Sequence, residues 1–140
     1  MALFDAMKKA LGKGNAETPS TPQPAASPAF EPTMIPEISA TELMQLRSAA
    51  TPPRLLDCRE PFEWVQVRIP GSLHIPMNDI PARLAELDRD ATWVVVCAHG
   101  NRSYSVAAYL LRQGLQASSL AGGVTDWWMQ GGETESDLRR

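Results

Sequence analysis

Cys97-Ala98-His99-Gly100-Asn101-Arg102-Ser103 is the segment whose residue types and spacing could do chemistry. A cysteine is followed at once by small and polar residues, between a β-branched run and a helical stretch. If the chain leaves a strand at Cys97 and curls into the first turn of a helix, the amides of that turn lack intrahelical partners and converge on one point. Gly100 permits a backbone conformation that other residues avoid. A sulfur at the centre of this ring meets aligned donors and the positive end of a helix dipole, and both favour a thiolate over a thiol. The same cradle would hold a negative atom: the outer sulfur of a persulfide, or the anionic end of a sulfur donor.

Other readings of the loop fit less well. A free cysteine is often just a small buried hydrophobe. That describes Cys58, which sits mid-strand between Asp57 and Arg59 with no loop beside it. Cys97 fits it poorly, because Gly, Asn, Arg and Ser follow. A metal site would need paired ligand spacing, and Cys58, His74, Cys97 and His99 do not provide it, so neither metal nor cofactor is expected. Cysteine phosphatases also cradle an anion between Cys and Arg, but with a loop one residue longer. The shorter loop here, Ala98 to Asn101, makes a smaller cradle that suits a single sulfur better than a tetrahedral phosphate. Asp57 and Arg59 could tune the field at the loop, but a charged pair at a strand end more often supports neighbouring elements through hydrogen bonds, and support is the role expected here.

The elements that must position these residues are legible around them. Thr92-Trp93-Val94-Val95-Val96-Cys97 is β-branched, continuous and bounded, as a strand covered on both faces should be. A helix from about Arg102 to Gln113 follows, capped by Gly114. Arg54 to Cys58 reads as a buried strand, Glu60 to Val65 as a short helix with Pro61 in its first turn, and Ser72 to Ile75 as a strand after the Pro70-Gly71 turn. Ser39-Ala40-Thr41-Glu42 is a capping box opening a helix that carries Leu43 and Leu46. Ile80, Leu84 and Leu87 fall on one helical face. Ala117 to Leu120 is the last strand, and Gly122-Gly123 turns into a short helix with Trp127 and Trp128. Trp64 and Trp93 join them as expected core or rim residues, and His74 is read as a structural residue of its strand. Alternation of strands and helices predicts an α/β domain with a mainly parallel sheet.

The chain of 140 residues is enough for one such domain. Its formal charge of −3 gives no reason to expect nucleic acid or a broad anionic surface as partner. No apolar run is long enough for a transmembrane segment, and residues 1–14 do not read as a secretory signal. Two cysteines without closely spaced pairs suggest reduced thiols and a cytoplasmic location. Residues 1–14 place Leu3, Phe4, Met7 and Leu11 on one face of a short amphipathic helix. That helix either rests at the end of the domain or docks a protein partner or membrane surface. Residues 15–36 form a linker holding Pro19, Pro22, Pro24, Pro28, Pro32 and Pro36, expected to be extended and disordered. The folded domain is assigned to residues 37–133 and a polar C-terminal tail to 134–140.

Within that domain four patterns, in order, resemble the rhodanese family. Leu56-Asp57-Cys58-Arg59-Glu60-Pro61-Phe62-Glu63-Trp64 resembles its first signature, Ile69-Pro70-Gly71-Ser72-Leu73-His74-Ile75-Pro76 its turn and strand, Cys97 to Ser103 its active-site loop, and Leu120-Ala121-Gly122-Gly123-Val124-Thr125-Asp126-Trp127 its closing motif. The resemblance implies a rhodanese-like fold, a five-stranded, mainly parallel sheet flanked by helices on both faces. It implies a sulfurtransferase in which Cys97 takes sulfane sulfur from a small anionic donor and passes it to cyanide or a thiol acceptor, with Ala98, His99, Gly100, Asn101, Arg102 and Ser103 forming the substrate-binding loop. Val67-Arg68 stands where the family often has Gly-His, a change read as neutral. Ala98 stands where some thiosulfate-using members have Arg, which weakens the case for thiosulfate as the donor, while His99 and Arg102 remain to touch an anion. The competing expectation is a binding or regulatory module of the same fold, tethered to a partner through residues 1–14. An intact Cys97 loop favours the enzyme.

Overall fold

The computed structural model describes residues 34–138. The amphipathic segment 1–14 and most of the proline-rich linker lie outside these residues.

β1 (Glu37–Ile38), α1 (Ala40–Leu46), β2 (Arg54–Asp57), α2 (Pro61–Gln66), β3 (Leu73–His74), β4 (Thr92–Val96), α3 (Asn101–Arg112), β5 (Gln116–Leu120) and α4 (Gly123–Met129) follow one another along the chain. The strands form one sheet of order β1-β5-β4-β2-β3, and every pairing is parallel. Successive side chains of a strand face opposite ways, so β4 feeds two cores. Trp93 and Val95 join Leu56, Ile75, Val106, Ala107 and Leu110 on the α3 side. Val94 and Val96 join Leu43, Leu55, Leu120, Val124 and Trp127 on the side of α1 and α4. The protein is therefore an α/β domain with helices on both faces of a five-stranded parallel sheet. Burial on both faces explains why β4 reads as an unbroken apolar run rather than an alternating one.

The local signals act where the sequence placed them. Ser39 and Glu42 form the reciprocal capping box, Ser39 Oγ accepting the Glu42 amide at 3.1 Å and Glu42 accepting the Ser39 amide at 2.9 Å. Pro61 opens α2, where the missing N–H removes no helical bond. Gly114 ends α3 with φ +88°. Trp93 and Trp127 are buried. Trp64 stacks on His74 with ring centres 4.6 Å apart. Trp128, by contrast, is largely exposed.

Three expectations are corrected. Ile80, Leu84 and Leu87 do not share an α-helix: two 3₁₀ turns, Met77–Asp79 and Leu84–Glu86, stand there instead. Tighter bonds three residues back close these turns, Ile80 to Met77 at 3.3 Å and Leu87 to Leu84 at 3.0 Å, and Ile80 and Leu87 still reach the core. The domain starts before residue 37, because Ile35 is buried on the α3 side and the Pro36 carbonyl accepts the Ser119 amide at 2.9 Å. Residues 134–138 are docked onto the domain rather than forming a free tail: Glu135 and Arg68 exchange backbone hydrogen bonds of 3.0 and 2.9 Å. The Arg68 guanidinium bonds Glu135 at 3.0 Å and Asp137 at 2.6 Å, and lies over the Trp64 ring. Arg68, read as a neutral departure, is thus the clasp that holds this segment.

Candidate active site

The carboxyl ends of the parallel strands place Cys97 where open α/β sheets collect ligands. β4 ends at Val96, Cys97 follows, and Gly100 is the N-cap of α3 with φ 104°, in the left-handed region that favours glycine. The turn folds back onto the sulfur. Cys97 Sγ accepts the Gly100 amide at 3.0 Å and the Ser103 amide at 3.3 Å, and lies 3.4 Å from Ser103 Oγ. Two backbone donors thus converge on one atom, with the Ser103 hydroxyl accepting from it, beside the N-terminus of a twelve-residue helix. Cys97 is 1% exposed, so the sulfur lies at the floor of this cradle.

Gly100 and Ser103 supply the bonds to sulfur. Ala98 is half-buried, and His99 and Asn101 stand on the exposed rim. Arg102 does not reach outward to meet an anion. Its guanidinium is held by both carboxylate oxygens of Glu63, each at 2.9 Å. That pairing pulls the Glu63 carboxyl below its usual range and raises Arg102 further. Glu63 was legible only as part of the first signature, because nothing in its spacing pairs it with a residue 39 positions away.

The ion pair sets an expected pH dependence. A depressed carboxyl contributes stability that is full above its unfolded value, about 4.3, and is lost as pH falls through the lower folded value. With the Arg102 side chain 34% exposed, the contribution at neutral pH is discounted to below about 1 kcal/mol. Glu63→Gln therefore lowers the melting temperature slightly at neutral pH and narrows the gap between neutral and acid melting temperatures. An unchanged gap refutes the coupling.

Asp57 and Arg59 form a buried, two-pronged ion pair, with Arg59 Nε and Nη2 at 2.9 and 2.8 Å from the carboxylate. Arg59 Nη2 also donates to the Val67 carbonyl at 2.6 Å, tying the end of β2 to the end of α2. Their side-chain hydrogen bonds stay on residues 57–67 and do not enter the 97–103 loop.

Gly123 and Ser119 were not singled out by the sequence. The α4 amides of Val124 and Thr125 donate to the carbonyls of Cys97 and Ala98 at 2.9 and 3.2 Å, so α4 holds the loop from behind. A Cβ on Gly123 would overlap those same two carbonyls. The double glycine of the closing motif was the available signal. Ser119 lies 2.7 Å from Ser103 through their hydroxyls, and both residues are fully buried.

Cys58 occupies the end of β2 beside Cys97, its amide bonded to the Val96 carbonyl at 3.0 Å, and is fully buried. Burial, then the neighbouring Cys97 and Asp57 charges, push its thiol up to about 12. In the folded protein near neutral pH, iodoacetamide is expected to label Cys97 and spare Cys58. Cys58→Val should change stability by less than about 1.5 kcal/mol and leave activity within a few-fold. A loss beyond about tenfold in a folded variant would give Cys58 a chemical role.

With this geometry in place, comparison with known proteins assigns the class. Residues 39–130 match the rhodanese-like domain, and the chain belongs to that family. It is 37% identical over 99 residues to a sulfurtransferase of Allochromatium vinosum, covering 70% of this chain and 92% of that one. It is 38% identical over 91 residues to the thiosulfate sulfurtransferase GlpE of Pseudomonas aeruginosa, covering 64% of this chain and 81% of that one. Among solved structures, a rhodanese-related protein from Thermoplasma volcanium superposes with a TM-score of 0.67 at 33% identity, covering 71% of this chain and 97% of that one.

Proposed function

We propose that the protein is a sulfurtransferase that carries sulfane sulfur as a persulfide on Cys97. The convergence of the Gly100 and Ser103 amides on Cys97 Sγ, with the Ser103 hydroxyl in contact with the same atom, carries this reading. The Cys97 thiolate attacks the outer sulfur of a donor. A new S–S bond forms, the donor's bond to that sulfur breaks, and its electron pair leaves with the remainder of the donor. A cyanide or thiolate acceptor then attacks the outer sulfur, and Cys97 departs as the thiolate. Fixed dipoles stabilise negative charge on sulfur at both ends of the cycle without reorganising. Ala98, His99, Asn101 and Arg102 shape the entrance above the sulfur, while the Asp57–Arg59 pair ties the end of β2 to the end of α2.

Two features favour a persulfide donor over thiosulfate. Ala98 supplies no cation, and the charge of Arg102 is already paired with Glu63. A departing sulfite therefore finds little positive charge, whereas a persulfide releases a singly charged thiolate. The two free thiols suit a reducing compartment such as the cytoplasm. Incubation with thiosulfate and with a glutathione persulfide tests the proposal. One cyanide-labile sulfur per chain is expected, loaded faster from the persulfide. No uptake from either donor would overturn it.

A further inference from the structure

The α3-side core carries two hydroxyls directly beneath Cys97. Ser119 lies on β5 two residues beyond Ala117, so its side chain turns to the face that Ala117 shares with Trp93, Val95 and Leu110. Its backbone is committed to the sheet, the amide bonding Pro36. Its hydroxyl meets Ser103 Oγ at 2.7 Å, and Ser103 Oγ meets Cys97 Sγ at 3.4 Å. Ser103 and Ser119 are both 0% exposed. A buried hydroxyl is destabilising unless bonded, and alanine or valine would fill this site with no polar group to satisfy. Serine at 119 is therefore unexplained by packing alone.

We infer that Ser119 is a positioning residue for the Cys97 chemistry: its hydroxyl donates to Ser103 Oγ and so turns the Ser103 hydroxyl proton onto the sulfur. The inference rests on the reading of Cys97 as the sulfur carrier and adds a residue to it. A hydroxyl that donates to sulfur has its own oxygen free to accept, and Ser119 is the hydroxyl placed to fill that role. With Ser119 donating to Ser103 and Ser103 donating to Cys97, both hydroxyl protons are used and the chain ends on sulfur. A thiolate is the best acceptor for that end. In the thiol form Cys97 Sγ donates to Ser103 Oγ, whose second lone pair still accepts from Ser119, so loss of the sulfur's proton is what lets the Ser103 hydroxyl turn onto sulfur while Ser119 holds its oxygen in place. Each bond in such a chain polarises the next in a dry environment, so the second hydroxyl strengthens the first. No proton is exchanged between the serines. Only the sulfur's own proton comes and goes.

The test is the pH profile of iodoacetamide labelling at Cys97, followed by mass spectrometry in the full chain. Ser119→Ala is expected to slow labelling about fivefold at neutral pH and to move the profile to higher pH. Rates should converge with wild type at alkaline pH, where the thiolate is complete in both proteins. A defect that merely loosened the structure would lower the rate across the whole range instead. Ser119→Thr, which keeps the hydroxyl, and Ser119→Val, its near-isostere without one, form a second pair matched in bulk. Threonine should retain the wild-type profile relative to valine. Superimposable profiles for Ser119→Ala and wild type, or for threonine and valine, overturn the inference while leaving the Cys97 reading intact. A wild-type profile matching that of a free cysteine overturns the Cys97 reading and this inference with it.

Discussion

Cys97→Ser is expected to abolish sulfur uptake and transfer while leaving the fold in place. Serine keeps the size of the side chain and can still accept from the Gly100 and Ser103 amides, so the loop should close as before. Its hydroxyl, however, is not ionised at neutral pH, and among the described residues no histidine or carboxylate hydrogen-bonds to Cys97 Sγ to remove its proton. Transfer should fall by at least about a thousandfold, as when the nucleophile of a covalent mechanism is removed. The stability change should stay within about 1 kcal/mol. Mass spectrometry after donor treatment should show one added sulfur on Cys97 of the wild type and none on Cys58. Transfer surviving in the variant, or equal loading of both cysteines, would refute the assignment.

The second large effect lies outside the loop. Gly123→Ala should disable transfer nearly as completely and also destabilise the protein. Gly123 has φ +60°, a conformation costly for alanine, and its missing side chain faces the carbonyls of Cys97 and Ala98. These atoms are backbone and cannot swing aside as a side chain would. Either α4 retreats and the Val124 and Thr125 bonds to the loop are lost, or the loop shifts and the amides no longer aim at the sulfur. Overpacking and backbone strain together should cost about 3 kcal/mol, seen as a lower urea midpoint. Gly131→Ala is the control, since it also replaces a glycine of positive φ, +91°, but meets open space. If both variants lose activity equally, the close approach of Gly123 is not what holds the loop.

Particular residues show how much of this was legible in the sequence. The buried strand at β4, the capping box at Ser39 and Glu42, Pro61 at the start of α2 and Gly114 at the end of α3 are local signals, each fixed by the conformational limits of a few adjacent residues. The cradle at Cys97 and Gly100 was legible for the same reason: its donors and its acceptor lie within seven consecutive residues, 97 to 103. Local reasoning failed at Ile80 to Leu87, where helical spacing met two short 3₁₀ turns instead of one helix. It also failed at β1, where two residues carry too little pattern to announce a strand, and only pairing with β5 makes them one.

Residue types and spacing alone pointed to the α/β class, the candidate nucleophile and its loop, because those depend on neighbours in sequence. The tertiary structure decided what surrounds them. It paired Arg102 with Glu63, so that the guanidinium expected to meet the donor is already neutralised. It set Gly123 against the back of the loop, clasped residues 134–138 with Arg68, and placed the Ser119 hydroxyl beneath Ser103. Each of these contacts joins residues at least sixteen positions apart. The parallel strand order β1-β5-β4-β2-β3 brings β5 and α4 beside the end of β4, and no period or propensity along the chain encodes that adjacency.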